Sequence, residues 1–285
     1  MIISEREMEE CLLGETGDPH SRLGVHHLGA KKGLVARALD PGADSIRIID
    51  LRDDSSQSLV RLDERGFFEV ALPGESKPFP YRFVSRRGGG EHEWEDPYSF
   101  LPSVGNDELK GFSEGTDRRP FLKLGSMPRT LNGVEGVSFV VWAPSARSVH
   151  LVGDFNSWNS SSLPMRSLGS CGCRELFVPN ARVGQKYKFR VLGADGVLRE
   201  KSDPFAFRCE SPPGNASMVC DRELVADGIA GAALLPSENP REEALSIYEM
   251  HLGSWKFHEQ ENRPLSYLEL ADCLPSYLLD MGFSH

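Results

Sequence analysis

Along most of the chain the apolar positions recur every second residue. The run 186–192, KYKFRVL, sets Tyr187, Phe189 and Val191 on one side and Lys186, Lys188 and Arg190 on the other. An extended backbone sends alternate side chains to opposite faces, so this run predicts a half-buried antiparallel strand. The run 148–155, SVHLVGDF, alternates imperfectly, and predicts a strand buried in part on both faces. The runs are short and bounded by Gly, Pro, Asp and Asn, which signals strands joined by turns. Gly88-Gly89-Gly90 reads as a hairpin tip; no Lys-Ser/Thr follows and no helix opens there, so it is not a phosphate loop.

Helical spacing is confined to the ends. Ser4–Leu13 reads as a short helix, with Ser4 as N-cap and Glu7 completing a capping box. Ser266–Met281 carries Leu268, Ala271, Leu274, Leu278 and Met281 at helical spacing, with Ser266 and Glu269 as a second capping box. Pro275 lies inside that run and is expected to kink or restart the helix. Before it, 245–255 (LSIYEMHLGSW) reads as a largely buried strand, and a strand followed by a helix opens a β/α pattern.

The chain repeats itself. Residues 33–49 (GLVARALDPGADSIRII) match 136–152 (GVSFVVWAPSARSVHLV), aligning Pro41 with Pro144. FFEVALP (67–73) matches CRELFVP (173–179), YRF (81–83) matches YKF (187–189), and DPYSF (96–100) matches DPFAF (203–207). The spacing drifts by a few residues, as loop insertions require. Several short strands in each copy argue for an immunoglobulin-like sandwich, although no Cys…Trp…Cys spacing marks a true immunoglobulin domain. Asp96-Pro97 and Asp203-Pro204 read as turns that start the next strand. Trp142 reads as core, Trp94 as core or a surface stacker, and His26 and His27 as packing residues. Segment 101–132 reads as a link whose polar centre, 111–120, is a surface loop, and 221–243 as a connector rich in Gly, Ala, Pro and Glu.

Charge narrows the partners. The 285 residues carry 42 acidic and 32 basic side chains, a net charge of −10, which disfavours nucleic acid because displacing counterions needs a basic surface. No apolar run is long enough for a membrane helix, and residues 1–10 lack the apolar centre of a signal peptide. A cytoplasmic protein with reduced thiols is expected. Cys171 and Cys173 form a CxC pair with no second pair or histidine cluster to complete a zinc site, so no metal and no cofactor are expected.

The ordered motifs resemble a known family. Segment 136–159, with GDFNSWN at its end, resembles the start of a family 48 carbohydrate-binding module, and KYKFRV and 201–219 continue the match. IYEMHLGSW and 265–285 resemble the first barrel strand and following helix of 1,4-α-glucan branching enzymes of the α-amylase superfamily. HHLG, EDPYSF and the FSEGT…KLG link resemble those enzymes' extra N-terminal domain. The resemblance implies an all-β chain: a helix or tail at 1–17, immunoglobulin-like β-sandwiches at 18–115 and 116–225, and at 226–285 a connector with the incomplete start of a (β/α)8 barrel. It also implies an N-terminal portion of an enzyme that moves α-1,4 glucan chains to 6-hydroxyls in glycogen biosynthesis, truncated before the catalytic carboxylates. Those enzymes carry Asp, Glu and a second Asp on later strands, and a barrel takes roughly 250 residues. No residue here matches them, so no catalytic residue is assigned and the missing barrel becomes the expected partner. The sugar-contacting residues it implies are Trp158, Lys188 and Asn156, with α-1,4-glucan or glycogen as a weak ligand. A flat indole suits the apolar face of glucose. Tight-binding relatives have a second Trp before the DP motif, where Leu198 stands here. A free-standing glycan-binding or scaffold protein is the alternative.

Overall fold

The computed structural model describes residues 2–28, 33–159, 161–221 and 246–285. Two compact units divide the chain, residues 1–227 and 228–285. The first contains both repeats. Its opening sheet holds β1 (Gly24–His27), β2 (Leu34–Leu39), β6 (Phe67–Leu72) and β5 (Val60–Asp63) in the order β1-β2-β6-β5. The facing sheet runs β4 (Ser56–Ser58), β3 (Ser45–Asp50), β7 (Tyr81–Arg87), β8 (Gly90–Trp94) in the order β4-β3-β7-β8. The second repeat gives a sheet of β12 (Arg166–Leu168), β13 (Cys173–Pro179), β10 (Val134–Trp142) and β9 (Gly125–Leu131), ordered β12-β13-β10-β9. Opposite lie β11 (Ala146–Gly153), β14 (Lys186–Gly193) and β15 (Leu198–Lys201), with β16 (Ser217–Met218) also on β14. Every pairing is antiparallel. The all-β expectation for the repeats holds.

The strand patterns behave as their periods require. On β14, Tyr187 and Phe189 are buried while Lys186, Lys188 and Arg190 are half-buried; on β11, Ser148 to Gly153 are all buried. The glycine run makes the β7–β8 hairpin: Arg87 pairs with Gly90 across Gly88 and Gly89, both at positive φ.

The two copies share a latch. In each, a tyrosine from the YRF or YKF strand donates its hydroxyl to the aspartate of the DP turn: Tyr81 to Asp96 at 2.6 Å and Tyr187 to Asp203 at 2.5 Å. The other carboxylate oxygen accepts a backbone N–H two residues on, from Tyr98 at 3.0 Å and Phe205 at 2.8 Å. A glycine closes each latch. Gly24 (φ +91) would put a Cβ 3.1 Å from Asp96 Oδ2, and Gly125 (φ +95) would put one 3.0 Å from the Phe205 carbonyl. The backbone conformation and the close approach both call for glycine. The DP turns do not start a strand: Pro97–Ser99 is a 3₁₀ turn, and residues 204–205 are a turn followed by irregular chain. A buried aspartate capping its own turn satisfies the backbone there and leaves no ladder partner to continue.

Three further expectations are corrected. The link 101–132 is ordered: it contains α2 (Asn106–Ser113), a 3₁₀ turn at Pro120–Leu122 and strand β9. Val104, Leu109, Leu124 and Met127 bury there against Val140 and Leu168, so its apolar residues outweigh the polar centre. Trp142 is not core; it is 52% exposed at the last position of β10. The expected strand at 245–255 is absent: residues 246–250 are irregular and α3 (Leu252–Trp255) follows, while Leu245 lies outside the described residues. A single strand has no ladder to satisfy its backbone. The connector beyond Asp221 also lies outside the described residues.

The N-terminal helix α1 (Glu5–Leu12) forms with the predicted capping box at Ser4 and Glu7. It is a structural wedge, since Met8, Cys11 and Leu12 join one core cluster with Leu39 and Phe67 of the first sandwich and Val149 and Phe189 of the second. Ahead of it, the Ile2 and Ile3 amides donate to Glu69, which also pairs with Arg37 at 2.9 Å. In the second unit, α4 (Tyr267–Asp280) is capped by Ser266 and Glu269 and stays one helix through Pro275. Of its apolar residues Leu270 is buried, at 3%, while Leu268 is 81% exposed. Tyr248, Trp255, Tyr277 and Phe283 pack into an aromatic cluster, with Trp255 Nε1 donating to the Tyr248 hydroxyl at 2.9 Å.

Candidate glycan-binding site

Strand β11 runs into a 3₁₀ turn at Asp154–Asn156, and the chain then turns sharply through Ser157 (φ +52) and Trp158 (φ +59). Two residues with side chains in the left-handed region are costly, and surrounding contacts must hold them. Asn156 supplies these. Its Oδ1 accepts the Gly153 N–H at 2.9 Å, and its Nδ2 donates to the Leu151 and Asn159 carbonyls and to Ser162 Oγ at 3.2, 2.9 and 3.0 Å. Both ends of the amide are committed to the loop, so Asn156 builds the platform on which Trp158 stands.

Trp158 is 40% exposed, and its indole N–H donates to Asp154 Oδ1 at 3.0 Å. The other oxygen of Asp154 accepts the Lys186 N–H at 2.8 Å. One carboxylate therefore ties the tryptophan loop to β14. Lys188 lies two residues along that strand, opposite Val152, and has no ion pair within 4.0 Å among the described residues. Leu198 is 45% exposed on β15.

Sequence reasoning missed Trp142. It is the most exposed of the four tryptophans; its indole N–H donates to the Cys171 carbonyl at 3.1 Å, and Phe112 of α2 meets it edge-on at 6.0 Å. Its place at the last residue before the Ala143-Pro144 turn was the available signal, because a strand end leaves the shelter of its neighbours. Trp94 is half-buried against Phe83 at 4.8 Å and donates to Ser85 Oγ at 2.7 Å. His26 packs, with Nε2 2.6 Å from the Leu23 carbonyl and its pKa lowered by burial. Burial raises the Cys173 thiol to about 12. No cluster of metal-ligating side chains occurs among the described residues.

Two family models match. Residues 4–98 match the N-terminal domain of the alpha-1,4-glucan branching enzyme GlgB, and residues 123–206 match carbohydrate-binding module 48, the isoamylase N-terminal domain. Two 1,4-alpha-glucan branching enzymes extend the match: that of Frankia casuarinae is 40% identical over 98% of this chain, and that of Nitrobacter hamburgensis 41% over 100%. The chain is thus similar over its whole length to the N-terminal part of 1,4-alpha-glucan branching enzymes. It spans 34% and 38% of the lengths of these two curated relatives. Among solved structures, a pullulanase complexed with maltotetraose from Anoxybacillus sp. LM18-11 aligns with 80% of this chain and 28% of its own, at 16% identity and a TM-score of 0.31. That likeness is too low to carry a conclusion. No helix among the described residues is long and apolar enough to cross a membrane.

Proposed function

We propose that this part of a branching enzyme holds and orients an α-1,4-glucan for a catalytic barrel that carries the carboxylates. In the whole protein that barrel cuts an α-1,4 chain, holds it on an aspartate and transfers it to a 6-hydroxyl. Segment 18–115 acts as a spacer sandwich and 116–225 as the sugar-binding sandwich, in a cytoplasmic enzyme without metal or cofactor. The observation that carries the reading is the fixed, exposed Trp158. A rigid indole with its N–H already satisfied offers its face to the apolar side of glucose without losing rotamer freedom on binding. Lys188 supplies a donor to sugar hydroxyls, Asn156 shapes the loop, and Trp142 offers a second flat surface. With Leu198 in place of another aromatic, each contact is weak, and a polymer gains by engaging several at once.

The test uses the purified chain. Incubated with amylose, it should form no new α-1,6 anomeric proton signal by NMR, while maltoheptaose should perturb Trp158 in the wild type. New α-1,6 signal would place a working carboxylate pair within these 285 residues. An unperturbed Trp158 would reduce the sandwiches to a structural role.

A further inference from the structure

Between the two sandwiches lies a cavity of about 560 Å³. This is within the usual range of small-ligand sites, about 300–1,000 Å³. One wall is β8 and the turn after it, with His92, Trp94 and Glu95; the other is the loop after β11, with Phe155, Ser157 and Asn159. It is separate from the indole of Trp158, which does not line it. The walls mix apolar and hydrogen-bonding surface.

The charges in this cleft are largely spent within the protein. Asp40 takes Arg87 at 2.6 Å and Ser85 at 2.7 Å, Asp96 takes Tyr81, Asp154 takes Trp158 and the Lys186 amide, and Glu93 pairs with Arg82 at 2.5 Å. Glu95 is the exception. It is half-buried, has no hydrogen bond or ion pair among the described residues, and burial raises its carboxyl, with Arg82 acting through space to lower it and Glu93 to raise it. The acidic excess repels anions. An unpaired, partly desolvated carboxylate beside an indole is suited to accept hydrogen bonds from adjacent hydroxyls of a neutral ring that packs on the aromatic.

We propose that the inter-sandwich cleft is a second binding site, in which Glu95 and Trp94 hold a short, neutral α-1,4-glucan segment between the two modules. The proposal rests on the glucan-holding reading but does not follow from it, because the Trp158 platform can bind with the cleft empty. Occupation of both would let one chain run from the loop into the cleft, which would make the first sandwich a participant in binding.

The four tryptophans make the test direct, since Trp94, Trp142, Trp158 and Trp255 occupy four different settings. The full chain is labelled with 5-fluorotryptophan, the four fluorine signals are assigned by single Trp→Phe variants, and maltotetraose is titrated in. The Trp94 signal should shift saturably in the wild type and should still shift in Trp158→Ala. Glu95→Ala should weaken the Trp94 response about five- to tenfold while Trp158 responds as before. Glu95→Gln, which keeps an acceptor, should weaken it less. A shift at Trp158 with Trp94 unmoved overturns the cleft site and leaves the platform standing. No shift at either overturns both readings. A shift of Trp94 with spermidine and not with maltotetraose overturns the choice of a neutral ligand.

Discussion

The two sandwiches share a frame and differ in what they show to solvent. Both fasten the DP turn with a buried tyrosine, and both place a glycine where the latch leaves no room. The second sandwich carries exposed aromatics at Trp142, Trp158, Phe121 and Phe207, whereas the exposed large apolar residues at 18–115 are Leu51, Val60 and Leu101. Where β11 runs into the tryptophan loop, β3 runs into a turn pinned by Arg52, which bridges Asp50 at 2.5 Å and Glu75 at 2.8 Å. Repetition preserved the latch and varied the loop. Frame and exposed loop thus vary independently, as expected where loops are carried on a scaffold.

The sharpest test of the shared frame is to cut both latches. Asp96→Ala and Asp203→Ala each remove the acceptor of a buried hydroxyl and a backbone cap, and each should cost about 3 kcal/mol in urea unfolding. A large loss in one copy alone would break the equivalence. Smaller, Tyr81→Phe and Tyr187→Phe should each cost about 1.5 kcal/mol.

Acid should separate the copies. Burial raises the Asp96 carboxyl to about 6, above its ordinary 3.8. A raised pKa stabilises the fold below about 3.8, and that contribution is lost as pH rises through about 6. His150 of β11 runs the other way. Burial, aided by Arg190, lowers it to about 4 from 6.5, so its contribution is present above 6.5 and lost as pH falls through about 4. Between pH 4 and 6.5, Asp96→Asn should steepen the loss of stability on acidification and His150→Gln should flatten it. Changes of slope in the same direction in both variants, each against the wild type, would contradict this contrast.

The loop supplies the smallest effects. Trp158→Ala should weaken maltoheptaose binding about fivefold in a fluorescence or NMR titration, and Asp154→Ala, which frees the indole, should weaken it by less. Equal weakening by Asp154→Ala would mean that the carboxylate touches the sugar itself.

Much of the frame was legible. The period-two runs placed β11 and β14, the glycine run placed the β7–β8 hairpin, and Ser4 and Ser266 announced both helix starts, because these signals are written within a few residues. The DP repeat was legible as a pattern but not as a latch, since Tyr81 and Asp96 meet only across the fold. Of the site, the FNSW loop and Lys188 could be picked out, whereas the structural duty of Asn156 and the exposure of Trp142 could not. Linear sequence does not say which acceptors a side-chain amide will find or whether a strand end stays covered.

A doubled all-β frame with helices near each end of the chain is already written in local signals, because hydrophobic period, turn residues and caps act within a few residues. Tertiary structure decided the rest. It made α1 part of a core shared by both sandwiches, turned the link 101–132 into helix and strand, left Trp142 and Trp158 open, and opened a cleft beside an unpaired Glu95. Alternation assigns residues to two faces of a strand, but what covers each face arrives from distant parts of the chain. Burial, and with it the choice between packing and binding, is set only when those parts meet.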